Sequence, residues 1–210
     1  MEQAQVDRKT HWEQVYSTRK PHEVGWYQAY PDLSLNLIAA SGAGKGAAII
    51  DVGGGASCLV DELLAEGYRD LSVLDISAAA LAAVKSRLGD KAGAVKWLEA
   101  DITRFIPPQE YRIWHDRAVF HFLTVSADRR RYLDAVCAAL PAGGHLIMAT
   151  FALNGPTQCS GLDVVRYSPE SLRREVGEGF ELMESFGGMH ITPSMGQQSF
   201  TFCRFIRKDS

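Results

Sequence analysis

The sequence predicts an α/β fold, a doubly wound and mostly parallel sheet with a ligand site at the carboxyl ends of its strands. Three observations carry this. Short apolar runs alternate with helical patterns along most of the chain. Residues 49–57, Ile-Ile-Asp-Val-Gly-Gly-Gly-Ala-Ser, join an apolar run to an acid and then to glycines that open a helix. A second apolar run, Leu71–Leu74, ends in Asp75, twenty-two positions after Gly53. A buried strand, a glycine-rich turn, a helix and an acid-ended strand make up a nucleoside-binding βαβ unit.

The elements follow in order. Residues 8–30 are rich in aromatic side chains (His11, Trp12, Tyr16, Trp26, Tyr27, Tyr30) and form either a lid over the cleft or a packing arm. Pro31 to Ala40 carries Leu33, Leu37 and Ile38 at helical spacing, and Ser41–Gly46 is a loop. The first strand spans Ala47–Asp51, and a helix runs from Cys58 to Glu66, where Gly67 stops it. The second strand is Leu71–Asp75. Ser77 caps a helix over Ala78–Leu88 that ends at Gly89. Strand three is Val95–Glu99, and Pro107-Pro108 breaks the chain before strand four, Arg112–His115. Asp128 caps a helix with Tyr132, Leu133, Val136 and Leu140 on its apolar face, and Pro141-Ala-Gly-Gly144 turns it into strand five, His145–Phe151. Residues 152–167 are a long loop, and Ser168-Pro169-Glu170 starts a helix reaching about Val176. Phe180–Phe186 and Phe200–Ile206 close the chain as two strands around a glycine-rich connection.

Composition bounds the function. The chain has 210 residues, enough for one domain with a substantial core. A net charge of −3 gives no basis for non-specific nucleic-acid binding, and Arg129-Arg-Arg131, the one basic run, suits a solvated helix start. Cys58, Cys137, Cys159 and Cys203 are widely spaced and the amino terminus is polar, so the expectation is a reduced cytoplasmic protein with no membrane span. The histidines sit in different segments without metal-ligand spacing, so no metal is expected.

The glycine turn selects among nucleoside ligands. Gly53, Gly54 and Gly55 let backbone amides approach a ligand, with Ser57 following. The third glycine of the dinucleotide pattern is replaced by Cys58. Asp51 would repel a pyrophosphate but suits the ammonium of S-adenosylmethionine. Asp75 can accept bonds from both ribose hydroxyls.

Over residues 11–206 the chain resembles the class I S-adenosylmethionine-dependent methyltransferases. Asp51-Val-Gly53-Gly-Gly55 resembles their first motif, Asp75 their ribose-binding acid, and Asp101-Ile102 their third motif. Leu140-Pro-Ala-Gly-Gly144 is a further landmark. Ile113-Trp114-His115-Asp116-Arg117-Ala118 resembles the fourth motif of thiopurine S-methyltransferases and lysine methyltransferase-like enzymes, and the Trp12–Tyr16 and Gly25–Tyr27 segments resemble their aromatic cover. The resemblance implies a Rossmann-like sheet of seven strands with the last antiparallel. It divides one domain, 1–210, into a helical cover (1–45), a cofactor-binding core (46–151), and a substrate loop with closing strands (152–210).

It also implies S-adenosylmethionine as cofactor and S-adenosylhomocysteine as product. Trp12, Tyr16 and Trp26 would cover the cofactor, with Ile76, Ile102 and His115 beside the acids and glycines already named. Catalytic candidates are Asp116, Arg117 and His121. Arg117 would orient an anionic substrate or stabilise a thiolate, or else form an internal ion pair with Asp116; His121 is a general base or a satisfied core histidine. Cys159, Arg166 and Tyr167 lie near the substrate side, and His190, Thr192 and Gln198 bracket the last connection. The expected acceptor is a small molecule bearing a thiol, amine, hydroxyl or carboxylate, with a protein lysine as the alternative. The segment after strand four, Asp116-Arg-Ala-Val119, lacks the proline-rich motif of nucleobase amino methylation. A non-catalytic binding scaffold and a nicotinamide-dependent oxidoreductase are the rivals from other classes. The expected assembly is a monomer or homodimer.

Overall fold

The computed structural model describes residues 7–209; Met1–Val6, part of the expected cover, and Ser210 lie outside the described residues. Helix α1 (Arg8–Thr18) and a 3-10 turn (Pro21–Glu23) precede α2 (Asp32–Ala40). The core then alternates β1 (Ala48–Val52), α3 (Leu59–Ala65), β2 (Asp70–Asp75), α4 (Ala78–Leu88), β3 (Val95–Glu99), β4 (Ile113–Arg117), α5 (Ser126–Ala139) and β5 (His145–Phe151). A hairpin of β6 (Gln158–Cys159) and β7 (Leu162–Asp163) leads to α6 (Pro169–Val176), β8 (Phe180–Ile191) and β9 (Gln197–Arg207).

The main sheet has seven strands in the order β3-β2-β1-β4-β5-β9-β8, and β9 runs antiparallel to both neighbours. Because β1 is paired with β2 on one side and β4 on the other, the chain reverses direction of winding there and opens a crevice at the strands' carboxyl ends. Strands buried on both faces read as continuous apolar runs, and every residue of β5 is buried. Alternate residues feed two cores. Ile50, Trp114, Met148 and Phe205 pack with Tyr132 and Val136 of α5 and Leu172 of α6. Ile49, Ile113 and Phe202 pack on the other face with Leu37 of α2, Leu59 of α3 and Leu81 of α4.

Local chemistry sets the helix ends. The Ser77 hydroxyl accepts from Ala80 N at 3.2 Å, and Gly89, at φ +55°, ends α4 where Lys85 and Arg87 offset the helix dipole. Ser168 caps α6 reciprocally with Ser171, with Pro169 in the first turn.

Four expectations are corrected. Asp128 is not the cap of α5, which begins after Val125; the carboxylate lies in the first turn, buried and paired with Arg8 and Arg131. The loop 152–167 contains the β6–β7 hairpin. The closing strands are far longer than expected, since Gly187 and Gly188 continue β8 rather than break it. A Cβ on Gly188 would lie 2.6 Å from the Phe202 ring, so glycine there answers to packing across the sheet. Strand four begins at Ile113 and runs two residues past His115. That extension fixes alternation: His115 and Arg117 share the face of Ile113, and Asp116 points with Trp114 into the opposite core.

Candidate active site

Two adjoining cavities lie in the crevice beneath the aromatic segment. The larger, about 760 Å³ of atom-free space counted to its open mouth, is lined by Trp12, Tyr16 and Trp26 above and by Asp75, Ile76, Asp101 and Ile102 below. The smaller, about 480 Å³, is lined by Ser34, Asp51, Gly54, Ser57 and His115. Tyr16, Trp26, Gly53 and Arg117 border both.

In the larger cavity, Asp75 ends β2 nearly buried, its Oδ2 accepting from Gly55 N at 3.0 Å and its Oδ1 from Ser77 N at 2.9 Å. Burial raises its pKa to about 6, against the pull of those amides. Asp101 caps a 3-10 turn through Oδ1, which accepts from Thr103 N and Oγ1 at 2.9 and 2.8 Å. Ile76 and Ile102 supply the apolar walls.

The cover is an aromatic cluster. Trp12 meets Trp26 and Phe122 edge-on at centroid distances of 5.5 and 5.1 Å, and Trp26 Nε1 donates to Tyr16 Oη at 3.2 Å. Burial, with Asp75 nearby, holds the Tyr16 phenol well above its usual pKa. Helix α1 is fastened by Glu13, which accepts from Ser77 Oγ at 2.8 Å and from Ala79 N at 3.1 Å at the start of α4. Arg8–Asp128 and Lys9–Glu99 pairs complete the attachment.

In the smaller cavity the Asp51 carboxylate is bonded on one side only. Its Oδ1 lies 2.7 Å from His115 Nδ1, whereas Oδ2 is buried without a partner among the described residues. Gly53 sits at φ +70°, the left-handed region that glycine adopts without strain, and its N–H donates to Leu74 O at 2.7 Å. A Cβ on Gly54 would come within 2.3 Å of Asp51 Oδ2. Ser57 Oγ accepts from Leu59 N at 3.0 Å and so replaces a side-chain cap at Cys58.

Arg117 stands between the cavities. Its Nη1 donates to Trp26 O at 3.0 Å and its guanidinium lies 4.9 Å over the Phe200 ring, while Nε and Nη2 are buried without partners among the described residues. Burial lowers its pKa to about 10, which leaves it cationic at neutral pH. Cys159 faces the same cavity, and burial pushes its thiol up to about 11 despite Arg117.

Three expected site residues do not line either cavity. Gly55 lies beneath, holding Asp75. Asp116 forms no ion pair with Arg117: its carboxylate accepts from Val119 N at 2.9 Å, Phe120 N at 3.1 Å and Tyr132 Oη at 2.6 Å, in the core to which strand parity assigns it. His121 is fully buried between Phe122 and Phe151, with Nδ1 accepting from Phe151 N at 3.3 Å. Its lone pair is therefore engaged, and burial with Arg117 nearby drops its pKa to about 3, so a general-base role has no geometric support. Arg166 anchors the loop through Leu153 O and Gly155 O, Tyr167 is buried in the α5–α6 core, and His190 Nε2 donates to Gly25 O at 2.8 Å. Thr192 closes the β8–β9 turn on Gly196 N at 2.9 Å. Glu13, Ser34 and Phe122 are not among the expected site residues; only the apolar residues around His121 offer a signal for the last.

The groups present suit S-adenosylmethionine: the unpartnered Asp51 oxygen and the Asp75 carboxylate are acceptors of the kind its ammonium and ribose hydroxyls require, and the walls of Ile76 and Ile102 are apolar like its adenine faces. No cluster of His, Cys, Asp or Glu that would hold a metal ion occurs among the described residues, and no helix there is long and apolar enough to cross a membrane.

Comparison with known proteins agrees. Residues 49–144 match a family described as a methyltransferase domain. Among curated proteins, no sequence matches the chain. Similar solved structures include an S-adenosylmethionine-dependent methyltransferase from Anabaena variabilis (TM-score 0.72, 12% identity, 99% of this chain and 98% of that one). N-methyltransferase NodS from Bradyrhizobium japonicum, in complex with S-adenosylhomocysteine, is similar at TM-score 0.68 and 15% identity over 94% of this chain and 98% of that one. A protein described by the conversion of a disulfide bond into a thioacetal group during echinomycin biosynthesis gives TM-score 0.74 and 16% identity over 94% and 90%. The domain match sets aside the nicotinamide alternative. Residues 49–144 thus carry a methyltransferase domain, and the whole chain has the fold of S-adenosylmethionine-dependent methyltransferases.

Proposed function

We propose that the acceptor is a small molecule presenting an anionic nucleophile, a thiolate or a carboxylate, held between the aromatic cover and Arg117. The observation that carries this is the pair of free donors, Nε and Nη2, on a buried guanidinium at the junction of the cavities. These two groups point the same way along one edge and form a fork suited to an anion. Three of the titratable groups lining the cleft argue in the same direction. Asp75 and His115 are committed to hydrogen bonds, and Cys159 stays a thiol at neutral pH. An acceptor that carries its own charge needs no base from the protein. The sulfur chemistry named for the echinomycin protein agrees by fold analogy alone.

In this reading Asp75 accepts from the ribose, Asp101 from the adenine amino group, and Ile76 and Ile102 pack on the base. Asp51 takes the ammonium. When bound, the cofactor supplies an electrophilic methyl on a sulfonium. The chain's part is to align the acceptor and exclude water, which Trp12, Tyr16 and Trp26 do from above.

Two tests follow. Arg117→Met is expected to lower kcat/KM by about 100-fold with thiol or carboxylate acceptors, the loss of a charge-assisted bond in a dry site, while S-adenosylhomocysteine affinity stays within about twofold. Loss of S-adenosylhomocysteine affinity instead would assign Arg117 to the cofactor, and turnover confined to amines or lysine peptides would overturn the anionic acceptor. Trp12→Ala and Trp26→Ala are each expected to weaken S-adenosylhomocysteine binding by about 10-fold in calorimetric titration with the fold intact. Unchanged affinity in both would reduce the segment to a packing arm.

A further inference from the structure

The smaller cavity contains a buried hydrogen-bonded line that cofactor contact alone does not explain. Asp51 and His115 stand directly opposite each other on the parallel strands β1 and β4, so sheet register brings their side chains together on one face. His115 Nδ1 is 2.7 Å from Asp51 Oδ1, and His115 Nε2 is 2.9 Å from Ser34 Oγ, delivered by α2. All three residues are at most 4% exposed. An ionised carboxylate only accepts, so Nδ1 carries the proton, and the Ser34 hydroxyl can turn to satisfy Nε2. The ring is held at both ends and cannot rotate without breaking two buried bonds.

The line stops short of saturating Asp51. A buried carboxylate oxygen without a donor is costly, and folded proteins rarely leave one. Here Oδ2 remains open on the side where Gly54 keeps the loop clear, since a Cβ at that position would lie 2.3 Å from it. Arg117, which borders the same cavity, makes no bond to it among the described residues. One oxygen is thus fixed, and the other is left without a partner among the described residues in a side chain that lines the cavity.

Resting on the S-adenosylmethionine reading, we infer that Ser34 and His115 are positioning residues that lock the Asp51 carboxylate so that its free Oδ2 receives the cofactor's ammonium. His115 acts through Asp51 and does not itself bind the nucleoside half. Its contribution to affinity therefore appears only for ligands that carry the amino-acid end.

The experiment is calorimetric titration with two ligands. S-adenosylhomocysteine has the ammonium, whereas 5′-methylthioadenosine keeps the nucleoside thioether and lacks the amino-acid end. His115→Leu is expected to weaken the first by about 10-fold or more and the second by less than about twofold. His115→Asn, whose amide can still donate to Oδ1, should recover most of the loss, and Ser34→Ala should give a smaller loss of the same selectivity. Asp51→Asn should show the selective loss in full, and adding His115→Leu to it should cost nothing further. Equal weakening of both ligands by His115→Leu, unchanged S-adenosylhomocysteine affinity, or additivity with Asp51→Asn would overturn the inference. If His115→Leu fails to fold by thermal denaturation, the Asn and Ser34→Ala variants decide, and a loss shared by both ligands there overturns it. Failure of the wild-type protein to bind S-adenosylhomocysteine would instead sink the parent reading.

Discussion

Replacing Asp75 with alanine is expected to weaken S-adenosylhomocysteine binding by about 100-fold or more. Two ribose hydroxyls donating to one buried carboxylate are worth about 1.5–3 kcal/mol each, and the variant also orphans the Gly55 and Ser77 amides. The same residue sets a pH dependence whose sign follows from linkage. In the ligand-free protein burial holds the Asp75 pKa up at about 6, with Asp51 adding to the rise and Tyr16 facing it. Ribose hydroxyls donate to the charged form, so binding lowers that pKa. Affinity is therefore full above about pH 7 and falls as the pH drops through 6, by up to about tenfold per unit. Titrations between about pH 5 and 8 check this against Asp75→Asn, which should bind weakly without that inflection. A flat wild-type profile, or Asp75→Ala with undiminished affinity, would remove Asp75 from the ribose site.

Gly55→Ala is expected to damage both the site and the fold. Its Cβ would lie 2.4 Å from Asp75 Oδ2 and 2.5 Å from Ala80 Cβ. Asp75 cannot swing aside while Oδ1 is held by the Ser77 amide, and Ala80 is fully buried in α4. The added methyl must therefore displace the helix from the loop. Overpacking of this kind costs about 1–3 kcal/mol, a fall of roughly 3–10 °C in Tm for a chain of this size. S-adenosylhomocysteine affinity should fall by about 100-fold, because the Gly55–Asp75 bond is lost with the geometry. Gly93→Ala is the control, since a Cβ there meets nothing within 4 Å and the backbone is not left-handed. Equal melting temperatures for the two variants would show that the loop yields more readily than its contacts imply.

Much of this architecture is legible in one sequence because strands buried on both faces leave unbroken apolar runs, and helix ends leave chemical marks. Ser77 with Gly89, and Ser168 with Pro169, bound α4 and α6 where the residues say they should. The misjudged parts depend on neighbours distant in sequence. Gly187 and Gly188 look like a break until Phe202 is known to lie across the sheet. Asp128 looks like a cap until Arg8 arrives from α1. Parity was the costliest error in the site. With strand four ending at His115, both Asp116 and Arg117 are free to face the cleft; with β4 continuing to Arg117, one of them must turn inward, and it is Asp116. Ser34 and Glu13 carry no local signal, because each acquires its role from a helix laid against an element far along the chain.

Helix α1 has one further consequence. None of its residues is fully buried, and apart from its aromatic contacts it is fastened by Arg8–Asp128, Lys9–Glu99 and the Glu13 contacts at the start of α4. Dissolved salt screens the exposed Lys9–Glu99 pair, whereas the largely buried Arg8–Asp128 pair is screened much less. Ionic strength thus reaches the roof of the crevice at one fastening, and the others hold it over the floor that bears Asp51, Asp75 and Asp101.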